Sequence, residues 1–172
     1  MSNLTLPEAF KIVQGHEPAT ATALAATSDV ISCKNLKKLW VVVNMAYHND
    51  VDVVITWNES SDVAGTGDVA ITETCPIWGN IDTATADLLA RKTDAITFTM
   101  DTSAGKNQLW IMEWDPAKFS AGFDCFKLVI TSAEQALSLL IILQNPGISL
   151  TLFRRQSPIN LEPGRLIPAR KG

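Results

Sequence analysis

Residues 36–58 read LKKLWVVVNMAYHNDVDVVITWN. Leu39, Val41, Val43, Met45 and Tyr47 fall on one side of an extended chain. After the polar break His48-Asn49-Asp50, the alternation resumes with Val51, Val53, Ile55 and Trp57. Asp52, Thr56 and Asn58 point the other way, although Val54 does not. A period of two marks a half-buried strand, and two such runs around a short polar connection predict a β-hairpin.

Working outward, strands are expected on both sides of this hairpin. On the N-terminal side, residues 1–27 form a lead-in arm. Pro7–Val13 makes one helical turn or a short strand, Gly15-His16-Glu17-Pro18 interrupts it, and Ala19–Thr27 is an Ala/Thr segment without periodicity. Asp29–Lys34 is a short strand. On the C-terminal side, Asn58–Asp68 is a turn cluster, followed by a strand over Val69–Thr74 that Cys75-Pro76 ends, because proline lacks the ladder N–H. Ile77–Asn80 then reads as a loop, and Thr83–Lys92 as a short helix or ordered loop. Ala95–Asp101 alternates, with Ile96, Phe98 and Met100 inward. Gln108–Trp114 is apolar on both sides, so both are expected to be covered.

Phe123–Thr131, Leu137–Leu143 and Ile148–Arg155 complete the strands. Beyond them Pro158, Pro163 and Pro168 exclude helix and central strand from a C-terminal arm, residues 156–172. About eight or nine short strands at intervals of about ten residues describe an all-β domain over 28–155, a β-sandwich or jelly roll between two extended arms.

Composition narrows the function classes. Of the 172 residues 47% are hydrophobic and only 19% charged, which points either to an unusually well-buried monomer or, as the favoured reading, to apolar surface covered by other copies or a larger assembly. The most apolar run, Leu137–Leu143, is far shorter than the ~20 residues that span a bilayer, so no membrane partner is expected. No basic n-region precedes an apolar stretch at the N-terminus, so no secretory signal is read there. Cys33, Cys75 and Cys125 lack CxxC spacing and are expected to be reduced, buried thiols. With only two histidines and no ligand spacing, neither a metal nor another cofactor is expected.

Arg154, Arg155, Arg165, Arg170 and Lys171 against Glu162 leave residues 154–172 at +4. The chain as a whole is at −4, so residues 1–153 carry −8. That acidic body argues against nucleic acid, and the basic tail either complements it or is a solvated segment that keeps the protein soluble.

Several side-chain groups deserve weighing as chemistry. His48, Asn49, Asp50 and Asp52 resemble a base with orienting carboxylates, but they sit where a connection needs turn residues. Glu113 and Asp115 evoke a glycosidase pair, yet Asp115 precedes Pro116 and reads as a strand end. Gly65-Thr66-Gly67 lacks the third glycine and helix of a dinucleotide loop. Trp40, Trp57, Trp78, Trp110 and Trp114 suggest either a sugar-stacking platform or buried core and interface. Four of them lie among apolar strand residues, which favours burial; Trp78, after Pro76, is the candidate for an exposed contact.

Taken together, Lys37-Lys38-Leu39-Trp40, Cys75-Pro76-Ile77-Trp78-Gly79-Asn80, Asp87–Asp94, Gly105-Lys106-Asn107-Gln108, Glu113-Trp114-Asp115-Pro116 and Gly122-Phe123-Asp124-Cys125 resemble a group of small tailed-bacteriophage virion proteins. The resemblance spans about residues 30–145 and rests on structural motifs, so no catalytic residue is carried over. It implies a β-sandwich decoration (cement) protein on the head exterior, with a tail or neck protein as the alternative. The implied partners are the major capsid protein and further copies of the chain, as a trimer or other symmetric oligomer. The implied location is the virion, assembled in the host bacterial cytoplasm. The arms are the expected bridging segments, with Trp78, Arg154, Arg155, Arg165, Arg170 and Lys171 as candidate contact residues.

Overall fold

The computed structural model describes residues 6–16, 24–133 and 136–144. Within them the strands, in chain order, are β1 (Phe10–His16), β2 (Leu24–Thr27), β3 (Ile31–Ser32), β4 (Lys38–Ala46), β5 (Val53–Ser60), β6 (Val69–Ala70), β7 (Cys75–Asn80), β8 (Ala90–Ala95), β9 (Thr97–Met100), β10 (Gln108–Trp114), β11 (Cys125–Ala133) and β12 (Ala136–Gln144). A helical turn at Leu6–Ala9 precedes β1, and a 3-10 turn at Pro116–Lys118 follows β10.

Two antiparallel sheets stack as an all-β sandwich. The first has the order β1-β12-β4-β10-β7-β8; the second has the order β2-β11-β5-β6, with β3 also on β11 and β9 on β5. The facing sides bury the alternating apolar residues. Leu39, Val41, Val43 and Met45 of β4 and Val53, Ile55 and Trp57 of β5 are all fully buried. Trp114 lies at the centre of an aromatic cluster, edge-on to Trp57 at 5.8 Å between centroids and tilted against Phe126 at 6.2 Å.

The expected β4–β5 hairpin does not form. β4 pairs with β12 and β10, and β5 with β11, β9 and β6, so residues 47–52 carry the chain from one sheet to the other. The two runs meet face to face, burying the alternating residues against each other. Side-chain hydrogen bonds hold the crossing: Asp52 Oδ1 accepts from the backbone N of Thr102 at 2.8 Å, and Tyr47 OH donates to Asp50 at 2.7 Å.

Other segments also differ from expectation. The strand ending at Cys75-Pro76 is instead the two-residue β6, and β7 runs through Pro76. A register shift between Cys75 and Ile77 in the β7–β8 ladder accommodates the missing N–H, as bulges do. Residues 83–92 form no helix; their last part is β8. The expected strand 95–101 bends at Ile96, which is 47% exposed, and β8 and β9 on either side belong to different sheets.

Two pieces of the lead-in lie within the sandwich. β1 pairs with β12, burying Phe10 against Trp40 with ring centroids 5.9 Å apart, and β2 pairs with β11. Residues 17–23, the strand expected over 148–155 and the arm 156–172 lie outside the described residues.

A candidate interaction surface on the outer face of the first sheet

Cross-strand register arranges the outward side chains of the first sheet in rows, because directly opposed residues point to the same side. One row runs Gln14, Leu140, Val42, Ile111, Trp78 and Arg91 across all its strands. The next runs Ile12, Ile142, Trp40 and Glu113. Ile12 and Leu140 are 40% and 37% exposed, and Val42, Ile111, Trp78, Trp40 and Ile142 are half-buried. Apolar side chains thus run unbroken across the middle of a face that an antiparallel sandwich ordinarily leaves polar.

The second sheet shows that ordinary pattern. Its outward rows hold Thr131, Val54 and Thr99; Val129, Thr56 and Thr97; and Lys127, Asn58 and Ala70. Threonine hydroxyls and an ion pair from Lys127 to Asp68 at 2.6 Å dominate there. The asymmetry between two sheets of one sandwich singles out the first as the candidate interaction surface.

Charge on the apolar face is paired locally. Glu113 accepts from Lys38 Nζ at 2.5 Å and from Trp40 Nε1 at 2.9 Å. Arg91 lies over the Trp78 ring, 4.9 Å from its centroid, donates to the carbonyl of Ile77 at 3.2 Å and pairs with Asp94. Such a cation–π contact occupies one face of the indole and holds it on the sheet.

Of the residues singled out by sequence, Trp78 lies on this surface, in β7 rather than a loop. Arg154, Arg155, Arg165, Arg170 and Lys171 lie outside the described residues. Sequence reasoning missed Val42, Ile111, Leu140 and Ile142 as a surface. The signal was the doubly apolar strand Gln108–Trp114 together with LSLLIIL, both apolar on two sides.

The other groups weighed as chemistry are engaged in turns. Asn49 Oδ1 accepts from Val51 N at 3.2 Å, and Asp115 Oδ1 from Ala117 N at 3.0 Å, capping the 3-10 turn. Beside Glu113 and Asp115 lies a cavity of about 70 Å³, lined also by Lys38, Thr74, Pro76, Trp114 and Lys118. That is about half the ~150 Å³ of a cavity that encloses benzene, so it does not enclose a sugar ring. Burial pushes the Cys33 and Cys75 thiols up to about 12, so each stays protonated and poorly nucleophilic near neutrality. Among the described residues no group of three or more His, Cys, Asp or Glu is placed to hold a metal ion.

No protein-family model and no curated protein matches the chain. Among solved structures it is similar to the crystal structure of SPBc2 prophage-derived protein YomS, at a TM-score of 0.46 and 13% identity, over 78% of this chain and 91% of that one. A likeness of that degree leaves both fold and function to be argued from the chain's own residues.

Proposed function

We propose that the chain is a structural protein of a tailed-phage virion. In this reading it is a decoration protein that packs on the head exterior against the major capsid protein, stiffens the shell and catalyses no reaction. One observation carries the proposal: the outward face of the first sheet presents rows of apolar residues where the second sheet presents threonines. A protein that acts by covering and being covered needs interface area and little chemistry, and a symmetric lattice offers the same contact many times. The resemblance over residues 30–145 supports the same role. The sugar-platform alternative loses support because Arg91 lies over the Trp78 ring.

Heads lacking the protein test this. The purified chain should co-sediment with them in many copies and raise their resistance to heat and low salt. Removing residues 156–172 should weaken attachment and leave the melting of the sandwich unchanged. Binding at a single vertex or along the tail would move the protein to the neck or tail, and failure to bind any part of the particle would overturn the proposal.

A further inference from the structure

We infer that the outward face of the first sheet is where a second copy of this chain packs, sheet against sheet, about a two-fold axis. The inference rests on the chemistry of that face and holds whether or not the virion reading does; with the face closed by a second copy, attachment to a shell falls to the arms, residues 1–27 and 156–172.

Three features point to a second copy rather than a partner of different chemistry. The first is shape. A face made by a six-stranded antiparallel sheet is a broad surface of parallel ridges, and another sheet is its natural complement, at the ~10 Å stacking distance of sheet pairs. The chain presents such a face on every copy.

The second is charge. Residues 1–153 carry −8, so two bodies repel wherever their acidic surfaces meet. Across these rows, however, Glu113 is paired with Lys38, and Arg91 with Asp94. A locally neutral face allows two acidic bodies to come together, and it offers nothing by which an oppositely charged partner would be selected.

The third is pattern. The central row reads Gln14, Leu140, Val42, Ile111, Trp78, Arg91. A two-fold axis along the strands between β4 and β10 lays Val42 on Ile111 of the second copy and Leu140 opposite its Trp78, beside the Arg91 side chain that lies over that ring. Gln14 then meets Arg91, an amide oxygen against a guanidinium at the rim. Each contact occurs twice, as an isologous interface requires. At about 4.8 Å per strand and about 3.3 Å per residue, the sheet is roughly 24 by 23 Å. That is on the order of 550 Å² in projection and more as side-chain surface, which approaches the ~800 Å² per partner of a stable interface.

Analytical ultracentrifugation of the full chain across the micromolar range is the test. The expected result is a dimer that Ile111→Asp weakens at least about a hundredfold, because the carboxylate would be buried opposite an apolar row. Thr56→Asp, on the polar outward face of the second sheet, should leave the dimer intact. Circular dichroism and thermal melts establish that each variant is folded. Should Ile111→Asp not fold, Leu140→Lys, at a side chain already 37% exposed, is to give the same dissociation. A wild-type chain that stays monomeric overturns the inference. So does a trimeric mass, a folded variant that remains dimeric, or a Thr56→Asp variant that dissociates equally. A monomer that binds heads would sink the pairing and spare the virion role, whereas a dimer that ignores heads would do the reverse.

Discussion

Gly79 shows how tightly the first sheet is fitted, and Gly79→Ala tests that fit. Gly79 in β7 lies directly opposite Trp110 in β10, and the Trp110 ring covers it from the core side. A Cβ at residue 79 would overlap the Trp110 six-membered ring, and the ring has little freedom to yield. Phe98 packs on it at 4.4 Å between centroids, and its Nε1 donates to Gln108 Oε1 at 2.8 Å. Gln108 is itself tied to the carbonyl of Asp101 at 2.6 Å. Overpacking costs about 1–3 kcal/mol. Turning the indole away leaves a buried donor or acceptor unpaired, which costs about another 1–3 kcal/mol. Replacing glycine in a strand recovers roughly 0.5–1 kcal/mol of chain entropy.

The net loss is about 3 kcal/mol, or a fall in Tm of roughly 6–12 °C for a chain of this size. Denaturant and thermal unfolding measure it directly, and a double-mutant cycle identifies its cause. In a Trp110→Ala background the same glycine substitution should cost nothing or stabilise slightly, since the overlapping ring is gone. A loss below about 1 kcal/mol in the wild-type background, or equal losses in both backgrounds, would refute the steric account.

Four further outcomes are expected. Cys33, Cys75 and Cys125 should resist a thiol reagent in the native state and react on unfolding. Because burial lifts Cys33 and Cys75 from the ordinary 9.0 to about 12, their contribution to stability is complete below pH 9 and is lost as pH rises toward 12, which alkaline melts will show. At acid pH the sign reverses. Hydrogen bonds from Thr66 to Asp62, from Thr85 to Asp82 and from Ser103 to Asp101 hold these carboxyls below the ordinary 3.8, so their contribution is present above that value and lost as pH falls through the lowered ones. Replacing all three by Asn should flatten the decline in Tm as pH falls below about 4. Finally, Glu113→Ala should cost about 1–2 kcal/mol by stranding Trp40 Nε1 and Lys38, and Glu113→Gln less, since an amide oxygen still accepts from the indole. Equal costs would show that the indole bond contributes nothing.

Much of the site was half-legible in the residues. Gln108–Trp114 announced two covered faces, and Trp78 was singled out, but as a loop residue. Its place in β7 depended on the bulge at Pro76, which no local rule supplies, since proline alone argues for a strand end. The apolar outward rows went unread because each strand contributes only one or two residues to them, and they become a surface only when β12, β4, β10 and β7 are neighbours.

Sequence by itself determined that the chain is all-β, where most strands lie, and which side of β4 and β5 faces the core. A period of two assigns side chains to faces whatever the strand's neighbours, and Leu39, Val41, Val43 and Met45 are buried as their spacing requires. Only the tertiary structure decided that β4 and β5 belong to opposite sheets, that Ile96 is an exposed bend, and that one outward face is apolar and the other threonine-rich. The physical reason is that ladder hydrogen bonds join backbone groups common to all residues but proline. Neighbours are therefore chosen by the collective packing of two sheets, which no single strand's pattern contains.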